Sequence, residues 1–181
     1  MVRIVLLIFL ISLSSEVNAN IKDQIINKLK DTLNLNFDFE QNINGKIEFG
    51  NCTIQYPKKM FCEYDKKNKV IVSNGKSLVI KSISSYYRYS LDKTPLNFIL
   101  DKNYLINKIN DLDGENINNS LIKFTLKEGD QLIEVFFDKK NYNLIGWQTK
   151  DIYQNTAVTL LYSVKSNQEI DEKIFKAPPQ N

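Results

Sequence analysis

The sequence predicts a mainly β fold of the α+β class: a curved antiparallel sheet or incomplete barrel covered by helices. Three observations predict it. Short segments rich in β-branched and aromatic residues follow one another over residues 36–90 and again over 121–164. Turn residues separate them. Apolar residues at helical spacing stand only at the start and in the middle of the chain.

The chain opens with Arg3, an almost unbroken apolar run over 4–13, and Val17-Asn18-Ala19. A positive start, an apolar centre and small residues before a cut make a cleavable export signal. Residues 1–19 are therefore expected to be removed and 20–181 to form a single domain. Ser12, Ser14, Ser15 and Glu16 break the run well short of the roughly 20 apolar residues that a spanning helix needs. Asn20, not Cys, follows the expected cut, so the new N-terminus has no thiol for lipid attachment. A soluble protein of the oxidising periplasm is expected.

Ile21, Ile25, Ile26, Leu29 and Leu33 recur at helical spacing and predict an amphipathic helix over 21–33. Strands are predicted over 36–42, 46–56, 60–64, 69–72, 77–82 and 85–90, with turns at Asn44-Gly45, Tyr56-Pro57-Lys58-Lys59, 65–68 and Asn74-Gly75. This order reads as an antiparallel meander. Thr94 can cap and Pro95 suits a first turn, so a short helix carries Leu96, Ile99 and Leu100 on one face. A weaker helical turn is predicted over 104–109. Strands resume over 121–126, 132–138, 144–151 and 157–164, and residues 171–175 lead into a Pro178-Pro179 tail.

Composition removes several functions. The net charge of +3, unchanged when Arg3 and Glu16 leave with the signal, is too weak to imply nucleic acid. The absence of histidine removes the commonest general base and metal ligand, and with them Ser/His/Asp, Cys/His and ordinary zinc sites. The six glycines are scattered singly, so no phosphate-binding loop exists. Asp111, Asp113 and Glu115 around Gly114 faintly suggest a calcium loop, but Ile122 stands where its terminal Glu belongs. Asp171 and Glu172 read as solvated loop charge. No enzyme activity, cofactor or metal is expected. Asn, Lys and Ile are abundant enough to look like coding bias, so single lysines carry little weight.

Two features are more informative. If the turn centres on Pro57, Cys52 and Cys62 lie opposite each other on neighbouring strands, where a bridge can close; two buried free thiols are the alternative. Apolar residues also alternate: Ile47 and Phe49, Ile54 and Tyr56, Met60, Val70 and Val72, then Leu78 and Ile80. They read as one apolar face, under which a filled core and a cavity are equally compatible.

The order of these features resembles the outer-membrane lipoprotein carrier family, the periplasmic LolA proteins of Gram-negative bacteria. Phe37-Asp38-Phe39-Glu40-Gln41 after the first helix is similar to the family's aromatic lead-in to its first strand. Ile54-Gln55-Tyr56-Pro57 and Met60-Phe61-Cys62-Glu63-Tyr64 are similar to its Arg-Pro turn and following strand. Ser73-Asn74-Gly75-Lys76 resembles its Ser-Asp-Gly-Lys turn and Thr94-Pro95-Leu96 its middle helix. Asp138 to Trp147 resemble a late hairpin, and Phe175-Lys176-Ala177-Pro178-Pro179 a C-terminal strand.

The resemblance implies an unclosed antiparallel β-barrel with a helical lid over its concave apolar face. It further implies a non-enzymatic, monomeric chaperone that takes acylated lipoproteins from an inner-membrane ABC-type release complex towards the outer membrane and any receptor there. Ile21, Ile25, Leu29, Leu96, Ile99 and Leu100 would form the lid. Ile47, Phe49, Ile54, Tyr56, Met60, Val70, Val72, Leu78 and Ile80 would line the acyl-chain cavity. Tyr56 departs from the pattern, because the family commonly places before the turn proline an arginine that helps to hold the lid closed. A periplasmic binding protein for free lipid or glycolipid is the alternative function.

Overall fold

The computed structural model describes residues 13–66, 68–150 and 154–180, with side chains from Ile21 onward. The expected export signal therefore lies outside the described residues, apart from the backbone at its end.

Helix α1 (Leu13–Asp31) comes first. The Thr32 hydroxyl donates to Lys28 O at 2.7 Å and its N–H donates to Leu29 O, closing the last turn before Leu33. Leu33 is thereby turned to solvent, 62 % exposed, and does not extend the apolar stripe.

Six strands follow: β1 (Asn34–Ile43), β2 (Lys46–Gln55), β3 (Lys59–Tyr64), β4 (Lys69–Asn74), β5 (Ser77–Lys81) and β6 (Tyr86–Ser90). The β1–β2 hairpin turns on Asn44 and Gly45, both left-handed, as its two-residue loop requires. A 3-10 turn (Leu91–Lys93) and helices α2 (Leu96–Ile99) and α3 (Lys102–Asp111) interrupt the sheet. The Thr94 hydroxyl donates back to Leu91 O rather than capping α2, and α3 is a full helix where one turn was expected. It is capped by the Asp101 side chain, which accepts from Tyr104 N–H at 3.1 Å.

Strands β7 (Glu115–Ile117), β8 (Leu121–Glu128), β9 (Gln131–Asp138), β10 (Leu144–Lys150) and β11 (Thr156–Ser166) complete the sheet. Instead of a C-terminal strand, the tail forms a 3-10 turn at Glu172–Phe175.

The eleven strands of the described residues belong to one antiparallel sheet in the order β6-β5-β4-β3-β2-β1-β11-β10-β9-β8-β7. The first and last strands pair at its centre. The chain winds outward to β6, crosses through the helices to the opposite edge at β7, and winds back. The edges β6 and β7 are not joined, so the barrel stays open and the helices bridge its two edges.

Successive side chains of a strand point to opposite faces, and the register fixes which. Phe37, Cys52, Cys62, Ile71 and Ile80 are cross-strand neighbours on one face, as are Leu35, Ile54, Met60, Ser73 and Leu78. This concave face packs against the helices.

Ile47, Phe49, Val70 and Val72 occupy the other row of their strands, which corrects their placement in the lining. Ile47 and Phe49 are 51 % and 50 % exposed. Val72 is buried without joining the concave cluster, on the face where the 3-10 turn of the tail packs beside β3 and β4. Parity is the cause: within β2, odd-numbered Ile47 and Phe49 cannot share a face with Ile54 while the strand stays regular.

Candidate functional site

The concave face and its helical cover form one buried apolar cluster. The expected lid residues Ile25, Leu29, Ile99 and Leu100 are fully or nearly buried in it, and Ile21 and Leu96 pack against its edge. From the expected lining, Ile54, Tyr56, Met60 and Leu78 join it; Ile80 is half-buried on the same face. The side chains of the helices occupy the concavity.

The second half of the sheet supplies as much of the floor. Ile122, Phe124, Ile133, Val135, Phe137 and Trp147 are buried there, and Phe124 meets Phe137 edge to face with centroids 6.0 Å apart. Their alternation over 121–137 is as regular as that of the first half and could have identified them. Leu105 and Ile109 of α3 also belong to the roof; the weakness of the predicted turn concealed them.

Cys52 and Cys62 face each other in register and are joined by a disulfide, with their Cα atoms 4.1 Å apart. The bridge lies in the concave wall and ties β2 to β3. Beside it, Gly50 leaves room for the Phe39 ring, which packs against Tyr64 at 4.9 Å between centroids. A Cβ at position 50 would fall 2.8 Å from that ring and 1.9 Å from Glu63 O.

The concave face ends in a polar rim. Tyr64 Oη donates to Gln41 Oε1 at 2.9 Å, and Gln41 Nε2 donates to Thr159 Oγ1 at 3.1 Å. Lys69 Nζ lies 2.5 Å from Glu48 Oε2 and 3.5 Å from the centroid of the Tyr64 ring. Burial, reinforced by the Glu48 carboxylate, holds the Tyr64 hydroxyl well above the ordinary phenol range. It stays a donor at physiological pH.

The helical cover is held by bonds at its ends. Lys22 Nζ of α1 donates to Asn110 O and Leu112 O at the end of α3, at 3.2 and 3.1 Å. Lys102 Nζ of α3 donates to Lys30 O and Thr32 O at the end of α1, at 3.1 and 2.9 Å. The two helices run antiparallel, and each places a cation on the carbonyl end of the other, where the helix dipole favours it. At the sheet, Lys58 N–H donates to Leu100 O at 2.7 Å, and its ammonium lies 3.5 Å from the Asp101 carboxylate.

An apolar, helix-covered concavity with polar fastenings suits binding. Among the described residues, no cluster of acidic, cysteine or histidine side chains could hold a metal ion, and no helix is long and apolar enough to cross a membrane.

The family pattern described as "Outer membrane lipoprotein carrier protein LolA" matches residues 30–178. The chain belongs to this family. No curated protein sequence matches it. An uncharacterized conserved protein from Thermus thermophilus superposes with a TM-score of 0.51 at 9 % identity, over 88 % of this chain and 93 % of its own, and shows the same fold. A LolA superfamily protein from Nitrosomonas europaea (11 % identity, 88 % and 97 % covered, TM-score 0.44) and the lipoprotein LppX of Mycobacterium tuberculosis (10 %, 86 % and 99 %, 0.45) superpose more loosely. LolA membership agrees with the open antiparallel sheet and its helical cover.

Proposed function

We propose that the protein is a non-enzymatic periplasmic chaperone, exported by a signal ending at Ala19, that shelters the acyl chains of lipoproteins under its lid. It would take them from an inner-membrane ABC-type release complex and pass them towards the outer membrane, through a receptor where one exists. The observation that carries this reading is the single apolar cluster shared by lid and concave face, in a chain of the LolA family.

The energetics suit a carrier. Lifting Ile25, Leu29, Ile99 and Leu100 out of the cluster costs about 1.5 to 3 kcal/mol each, or about 6 to 12 in all. Sheltering one acyl chain of about sixteen carbons contributes about 12 kcal/mol, at about 0.8 per methylene. The lid residues and a single acyl chain thus compete for the same surface at energies of the same order. The cargo is held without being trapped.

Co-expression with a triacylated lipoprotein, followed by purification and mass spectrometry, tests this. A co-purifying lipoprotein supports the reading. A bound lipid without protein favours the alternative, a binding protein for free lipid or glycolipid. Recovery of neither, together with no binding of a fluorescent acyl probe, refutes both.

A further inference from the structure

A buried donor or acceptor left unpaired costs more than a typical hydrogen bond contributes, so an orphaned hydroxyl in a core needs an explanation. Tyr56 carries one. The residue is 9 % exposed within the cluster under the lid, and its Oη meets no hydrogen-bond partner among the described residues. Burial raises its pKa far above that of an ordinary phenol, so it keeps its proton and remains a donor.

Other buried polar side chains are satisfied. Ser73 Oγ donates to Lys58 O at 2.6 Å, Tyr64 and Thr159 share Gln41, and Thr32 donates to Lys28 O. The other unpaired oxygens, on Asn36, Gln55, Gln131 and Asn143, belong to partly exposed residues outside the cluster.

The position is equally telling. Tyr56 N–H donates to Leu33 O at 3.0 Å, where α1 gives way to β1, and two residues later Lys58 N–H donates to Leu100 O, where α2 ends. Tyr56 therefore sits where both lid segments are fastened to the sheet. A lipid that displaces the helices meets this hydroxyl at the fixed end of the concavity.

We propose that the Tyr56 hydroxyl binds ligand, donating a hydrogen bond to a carbonyl oxygen of the lipid, an acyl ester or amide, when the lid is displaced. This rests on the acyl-binding reading and adds recognition of the linkage to it. Apolar walls cannot distinguish an acyl chain from an alkyl ether of the same length. A lone donor set among them can.

The test is the binding of dipalmitoylglycerol and dihexadecylglycerol, which differ in their carbonyl oxygens, by displacement of a fluorescent apolar probe from the full chain. Wild type is expected to prefer the ester by about tenfold. Tyr56→Phe is expected to abolish the preference by weakening the ester alone, and to resist denaturant at least as well as wild type. Equal affinity of wild type for the two lipids, a preference that survives the substitution, or a loss common to both overturns the role of Tyr56 and leaves acyl binding standing. Failure of wild type to bind either overturns the acyl-binding reading, and this proposal with it.

Discussion

Replacing Lys22 and Lys102 together by methionine should loosen the lid without unfolding the sheet. Methionine keeps an unbranched apolar stem against the helix surface and removes only the ammonium. Each lysine makes one exposed and one partly buried bond to carbonyls at a helix end. A cation in that position contributes about 0.3 to 1 kcal/mol when exposed and up to about 2 when partly buried. The pair is thus worth about 1 to 3 kcal/mol, which raises the open fraction of the lid by about 5- to 150-fold.

Amide hydrogen exchange reads this directly: protection of α1 and α3 should fall by that factor while β8 and β9 keep theirs. The single variants should not add, because both lysines fasten the same pair of helices. Raising the salt concentration should move wild type towards the variant, since the exposed bonds are screened. Wild-type exchange in the lid of the double variant would refute the fastening role. An equal loss of protection in β8 and β9 would show that the lysines support folding as a whole.

Two further outcomes test the architecture. Replacing Cys52 and Cys62 by alanine opens a ring of sequence separation 10 and should lower stability by roughly 2 to 3 kcal/mol in the chain-entropy model, measured by urea unfolding; an unchanged midpoint would deny the bridge its stabilising role. Met60→Ala on the concave face should cost about 2 to 5 kcal/mol, whereas Phe49→Ser on the outer face should change stability by less than about 0.5 kcal/mol, and a comparable loss from both would contradict the assignment of faces.

Much of the fold was legible because the strands are punctuated. Asn44-Gly45 and Asn74-Gly75 mark their hairpins with residues that tolerate left-handed backbone, and the strands around them begin and end within two residues of the expected positions. The family resemblance holds for the same reason, since it rests on the order of those turns. Strand β7 was not legible: Glu115–Ile117 is short, polar and at an edge, with no buried row to print a pattern.

The faces failed where both rows of a strand are apolar. Val70, Ile71 and Val72 are consecutive, and hydrophobicity alone cannot choose between 70/72 and 71/73. In β2 the concave row contains Gly50, which weakens its signal beside Ile47 and Phe49. Lys22 and Lys102 were hidden differently. Nothing local separates them from the other lysines of a lysine-rich chain, and their partners are backbone carbonyls 70 or more residues away.

The crossing of the chain from β6 to β7 has a mechanical consequence. The two free edges of the sheet are joined by covalent chain that includes α2 and α3, so this part of the helical cover is also the strap across the opening of the barrel. Among the described residues no ladder of inter-strand bonds closes that gap. In a carrier whose helices lift from the sheet, the strap would slacken with them, and the rim would be free to widen in the same movement.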